Sequence, residues 1–100
     1  MNKDEIIQIL KENKKVMTDQ YGIIQIGIFG SYVHSLQNEG SDIDIAIEMT
    51  KEKKNLHNFL ALKRFLEQQL GRNVDLGFKH SLKPTVSNYI EATIIYVWYI

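Results

Sequence analysis

Apolar residues recur at two different spacings along this chain, and the alternation between them outlines its elements. From 4 to 20, Ile6, Ile7, Leu10, Met17 and Tyr21 fall at helical intervals with Lys and Glu between them, and Gly22 supplies a stop. IIQIGIF (23–29) is short, β-branched and apolar, as a buried strand should be. Gly30-Ser31 ends it and opens a short helix, GSYVHSLQ, and 37–41 reads as a polar loop. DIDIAIEM (42–49) then alternates strictly. Asp42, Asp44, Ala46 and Glu48 share one face, and Ile43, Ile45, Ile47 and Met49 share the other, which belongs in a core.

The spacing further predicts a helix over 55–70, with Leu56, Phe59, Leu60, Phe65, Leu66 and Leu70 inward and Gly71 as its C-cap. RNVDLGF (72–78) alternates again, setting Val74, Leu76 and Phe78 opposite Asn73, Asp75 and Gly77. Pro84 suits the first turn of a last helix running to about 95, and the chain closes on the apolar TIIYVWYI. The expected order, α-β-α-β-α-β-α, defines an α/β (α+β) sandwich: a small mixed sheet of at least three strands flanked by helices. With 100 residues and no repeat or linker, a single domain over 1–100 is expected.

Composition narrows the function classes. Apolar residues make up 44% and charged residues 24%, a globular mixture and not a disordered one. Lys plus Arg equals Asp plus Glu at 12 each, so no basic footprint for direct nucleic-acid binding exists at the level of net charge. The absence of Cys removes disulfides and thiolate metal sites. MNKDEIIQIL carries acids too early for a signal peptide, and no run approaches ~18 apolar residues, so a cytoplasmic protein without membrane attachment is expected.

The chemistry concentrates between 29 and 44. Two strand rises place the Cα atoms of Asp42 and Asp44 roughly 6.6 Å apart on one side of a strand. Both carboxylates would repel and desolvate each other unless a positive charge sits between them, and carboxylate oxygens are the ligands of Mg²⁺. Mg²⁺ so held usually takes substrate phosphates as further ligands. Gly30 and Ser31 supply that half: Gly lets backbone approach an anion closely, the strand-to-helix turn aims N–H groups at it, and the Ser31 hydroxyl adds a hydrogen bond. Asp75, at an alternating position of the next strand, is the third carboxylate, which makes a two-metal site for in-line displacement plausible.

Gly30-Ser31, ten residues and then Asp42-Ile43-Asp44 resembles the G-S-x10-D-x-D signature of the polymerase-beta-like nucleotidyltransferases, and the size resembles their minimal members, the MNT proteins. The likeness covers nearly the whole chain. It implies the nucleotidyltransferase fold and Mg²⁺-dependent transfer of AMP from ATP, with Asp42, Asp44 and Asp75 as catalytic metal ligands and Gly30 and Ser31 at the β- and γ-phosphates. It also implies an antitoxin whose partner is a HEPN-domain toxin and whose acceptor is a Tyr hydroxyl on that toxin. One departure stands out: relatives follow the GS with a small residue, Arg and Gly, where this chain has Val33, His34 and Ser35, and His34 is a weaker, pH-dependent cation. Two rivals share the motif or the partner: transfer to a small molecule such as an aminoglycoside, and an antitoxin that masks its toxin by binding alone.

The remaining polar residues have blander roles. Ser31 alone suits a helix N-cap, and His34, His57 and His80 suit a solvated surface. Lys51–Lys54 reads as a solvated loop, Arg64 and Arg72 as surface charges, and Glu48 as lying too far along its strand to join a metal. Tyr89, Tyr96, Trp98 and Tyr99 read as packing residues, not as a base-stacking platform. The uncharged run 94–100 is expected in a contact, within a homo-oligomer or against the partner.

Overall fold

The computed structural model describes residues 1–30, 42–79 and 94–99. Three helices and a four-stranded sheet make up these residues: α1 (Lys3–Glu12), α2 (Lys14–Tyr21), β1 (Ile23–Phe29), β2 (Ile43–Met49), α3 (Leu56–Leu70), β3 (Val74–Phe78) and β4 (Ile95–Tyr99). The strand order is β3-β2-β1-β4, with β1 antiparallel to both β2 and β4 and with β2 parallel to β3. A parallel pair needs a crossover, and α3 provides it.

Strand pairing explains the faces. Leu76, Ile45, Ile28 and Ile95 form one cross-strand row, and Phe78, Ile47, Ile26 and Trp98 form the next. These rows face the helices, where Ile6, Leu10, Met17, Leu62, Leu66 and Leu70 close the core. Each fully buried Ile or Leu stabilises by roughly 1.5–3 kcal/mol, so this face fixes the register of the sheet. The opposite face carries the rows Asp75–Asp44–Phe29 and Gly77–Ala46–Gly27–Tyr96.

Local chemistry starts and stops the helices as expected at Gly22 and Gly71, both left-handed, with φ of 67° and 66°. Asn2 and Asn55 cap α1 and α3 by accepting from the N–H groups of Glu5 (2.9 Å) and Asn58 (2.8 Å). Asn58 Nδ2 donates to the carbonyls of Tyr21 (3.0 Å) and Lys53 (2.9 Å), tying α3 to the end of α2 and to the 3-10 turn Lys51–Lys53.

Three expectations change. The single helix over 4–20 is two, broken at Asn13, whose Nδ2 and backbone N–H both bond to the Ile9 carbonyl. In α3 the buried stripe is Leu62, Leu66 and Leu70, while Leu56 and Leu60 face outward. The apolar end of the chain, expected to follow a last helix without forming a further strand, is a fourth strand paired with β1. Trp98 of that strand is only 7% exposed and sits in the core opposite Ile26. The expected short helix from Gly30, the loop at 37–41 and the helix from Pro84 fall on or run into residues outside the described ones. Among the described residues no helix is long and apolar enough to cross a membrane.

Trp98→Ala should therefore destabilise the fold by about 3–5 kcal/mol in urea denaturation, as loss of a buried aromatic does. Loss of association with unchanged stability would instead make the last strand an interface.

Candidate active site

Asp44 lies mid-sheet, between Phe29 of β1 and Asp75 of β3. Its position follows from its neighbours: Ile43 and Ile45 are fully buried on the helix side, so alternation turns Asp44 to the other face. The Ile43 N–H donates to the Asn73 carbonyl at 3.0 Å, which locks the start of β2 to the approach of β3. Glu67 of α3 accepts from the Val74 N–H at 2.9 Å and holds β3 one residue before Asp75. Two hydrogen bonds thus set the two carboxylates side by side, about 4.8 Å apart in backbone spacing.

Gly30, directly after β1, closes the site on the other side of Asp44. Its φ is 77°, a region that L side chains rarely enter, and a Cβ there would overlap Asp44 Oδ2 and lie 3.0 Å from Asp44 Cγ. The glycine is required twice, for its backbone angle and for the room it gives a carboxylate. Asp42, just before β2, is exposed, as is Asp75, whereas Asp44 is half-buried.

The electrostatics are unfavourable as they stand. Burial, then the charge of Asp75 and a carboxyl–carboxylate hydrogen bond to it, then the charge of Asp42, push Asp44 up to about 6. Among the described residues no three acidic, His or Cys side chains converge as a finished metal cage. The donor set nonetheless fits a hard divalent cation: oxygen ligands only, one desolvated carboxylate, and two like charges that a cation would reconcile. Asp44 and Asp75 are brought together as expected, with Asp42 close enough to act on Asp44 electrostatically. Ser31 and His34 lie outside the described residues. Glu48 does not join the acids; its carboxylate is 3.7 Å from Lys54 Nζ at the far end of β2. The sequence reading missed Glu67, whose signal was weak: an acid on α3 seven residues before the strand it tethers.

Comparison with known proteins places this fold and carboxylate pair in a family. The family profile described as Nucleotidyltransferase domain matches residues 3–97. The chain belongs to that family, in its minimal, MntA-like branch. It is 38% identical over 94 residues to the protein adenylyltransferase MntA of Thermococcus cleftensis, covering 94% of each chain. Among solved structures it resembles a toxin–antitoxin crystallised with AMP-PNP, at 25% identity and a TM-score of 0.71, covering 100% of this chain and 75% of that one. It shares a fold with a complex of a tri-AMPylated HEPN toxin and MNT antitoxin from Shewanella oneidensis, at 23% identity and a TM-score of 0.61, covering 97% and 69%.

Two outcomes are expected. In metal-free buffer the folded chain holds the Asp44 proton more tightly than the unfolded chain, whose Asp titrates near 4. This contribution to stability is present in full below about pH 4 and is lost as pH rises through about 6. Asp44→Asn should therefore be more stable than the native chain at pH 7.5, by on the order of 1 kcal/mol after solvent screening of a half-exposed pair, with no advantage at low pH. Urea titrations across pH check this, and native stability that stays flat from pH 4 to 7 would overturn it. Gly30→Ala should lose about 1–2 kcal/mol from backbone strain and also displace Asp44, so its stability should respond less to Mg²⁺ than that of the native chain.

Proposed function

We propose that this chain is the antitoxin of a toxin–antitoxin pair and transfers AMP from ATP to a Tyr hydroxyl of a HEPN-domain partner. The observation that carries the reading is the Asp44–Asp75 pair with Gly30 pressed against Asp44. The 38% identity to a protein adenylyltransferase supports the type of reaction, and the resemblance to a toxin–antitoxin bound to AMP-PNP supports the nucleotide and the partner class.

Asp42, Asp44 and Asp75 would hold Mg²⁺. When bound, it would neutralise the acidic cluster and the triphosphate and lower the barrier to in-line displacement. The chain's own residues do the rest. Asp44 must give up its proton to serve as a ligand, so the Mg²⁺ concentration needed for activity should rise as pH drops through about 6. Gly30 and Ser31, the next residue in sequence, would receive the β- and γ-phosphates through backbone N–H groups and the Ser31 hydroxyl. Asp75, exposed at the sheet margin, faces the incoming acceptor and favours loss of the phenolic proton. The phenolic oxygen bonds to the α-phosphorus as the bond to the β-phosphate oxygen breaks, and pyrophosphate departs.

Incubation with ATP, Mg²⁺ and the HEPN partner should add one or more AMP units to that partner by intact-mass spectrometry. Asp44→Asn and Asp75→Asn should each reduce the rate at least ~100-fold, while Ser31→Ala, which removes a single hydrogen bond, should reduce it less. A partner silenced without gain of mass, by native and Asp44→Asn chains alike, would show a masking antitoxin and overturn the catalytic reading.

A further inference from the structure

A second surface lies away from the acids. Lys54, Asn55, Leu56, Phe59 and Phe78 line an open, almost wholly apolar cleft of about 390 Å³ between the start of α3 and the end of β3. Its floor is the Phe59–Phe78 pair, with ring centroids 5.1 Å apart. Leu56 is 72% exposed and Leu60 42% exposed, and one turn of α3 separates them. Single exposed leucines are ordinary; two on one helical stripe beside an open aromatic floor form a patch.

The charge around this patch is one-sided. Residues 51–64 carry five Lys or Arg against one acid, in a chain that holds 12 of each. Lys51 and Lys53 are exposed on the 3-10 turn that leads directly into Lys54 of the cleft wall, and Arg64 continues the Leu56–Leu60 stripe at the same four-residue interval. Lys54 has its Nζ 4.9 Å from the Phe78 ring centroid and is paired with Glu48, so it walls the cleft and adds little to the outward field.

We propose that this cleft docks an acidic amphipathic α-helix of a protein partner. The shape suits a helix: from Leu56 to Arg64 the stripe runs roughly 12 Å, the span over which a partner helix lays down two or three apolar anchors. The charge decides the occupant. A two-fold contact with a second copy would set Lys51, Lys53 and Arg64 against the same residues, a like-charge arrangement, whereas an acidic rim on the partner matches them. Nucleic acid would find the cations but would have to bury its phosphates beside Leu56 and Leu60. The cleft also lies on the helix side of the sheet, so a partner seated there leaves Asp44 and Asp75 open on the other face. The inference does not depend on the nucleotidyl-transfer reading.

The test uses the full chain and two fluorescent synthetic helices of about 18 residues with identical leucine anchors at i, i+3, i+4 and i+7, one rimmed with Glu and one with Lys. Anisotropy should show the Glu-rimmed peptide binding at least ~10-fold more tightly than the Lys-rimmed one, and more weakly as salt rises. Both Leu56→Asp/Leu60→Asp and Lys51→Glu/Lys53→Glu should weaken it at least ~10-fold with melting temperatures essentially unchanged, since all four positions are exposed. Equal binding of the two peptides, no binding, or binding indifferent to the leucine changes would overturn the proposal. Stronger binding of single-stranded RNA, lost in Lys51→Glu/Lys53→Glu, would make the surface a nucleic-acid site. Concentration-dependent sedimentation abolished by Leu56→Asp/Leu60→Asp would make it a self-association site.

Discussion

Everything in the site depends on the register of β2. Ile43, Ile45 and Ile47 are fully buried on the helix side, and a slip of one residue would send Asp44 into that core and the isoleucines out of it. Several kcal/mol of apolar burial therefore hold Asp44 against its own electrostatics. The pairing with β3 completes the arrangement, because parallel register sets Asp44 directly beside Asp75. Two like carboxylates are adjacent only because the ladders and the core leave the backbone no alternative.

The site is a local weak point supported from elsewhere. Glu67 reaches from α3 to the Val74 N–H, and the Asn73 carbonyl accepts from Ile43, so the two acidic strands are fastened just before their carboxylates. Asn58 does the same at the other end of the layer, joining α2, the 3-10 turn and α3 through one amide. A raised pKa at Asp44 follows from that fixed geometry, through burial and the neighbouring charges of Asp75 and Asp42. On the proposed function that strain would have a chemical use, since a site that repels itself gains most from a divalent cation.

The parts of this design that were legible in sequence are those with a short, exact period. DIDIAIEM shows both its faces directly, and Gly22, Gly71 and Asp75 stand at positions that backbone geometry or alternation picks out. The helical phase of α3 was less legible, because Leu56, Leu60, Leu62, Leu66 and Leu70 offer more apolar positions than one stripe needs. Only the neighbouring strands decide which of them is covered. The last strand was hidden for a different reason: an uninterrupted apolar run lacks alternation, and Trp98 reads equally as core or as interface until its pairing with Ile26 is known. Asn13 breaks its helix through a side-chain bond to Ile9, a competition between two hydrogen bonds that a hydropathy pattern does not carry.

That surplus of leucine is itself informative. A helix whose buried stripe is Leu62, Leu66 and Leu70 has no folding use for Leu56 and Leu60 in water, and Lys or Glu would serve there as well. The same helix tethers β3 through Glu67 on one side and walls the apolar cleft with Phe59 on the other. The carboxylates and the cleft are thus separate in chemistry and in face but share one rigid support. Such an arrangement lets one element orient a docked protein and the acidic pair on a common frame without either surface obstructing the other.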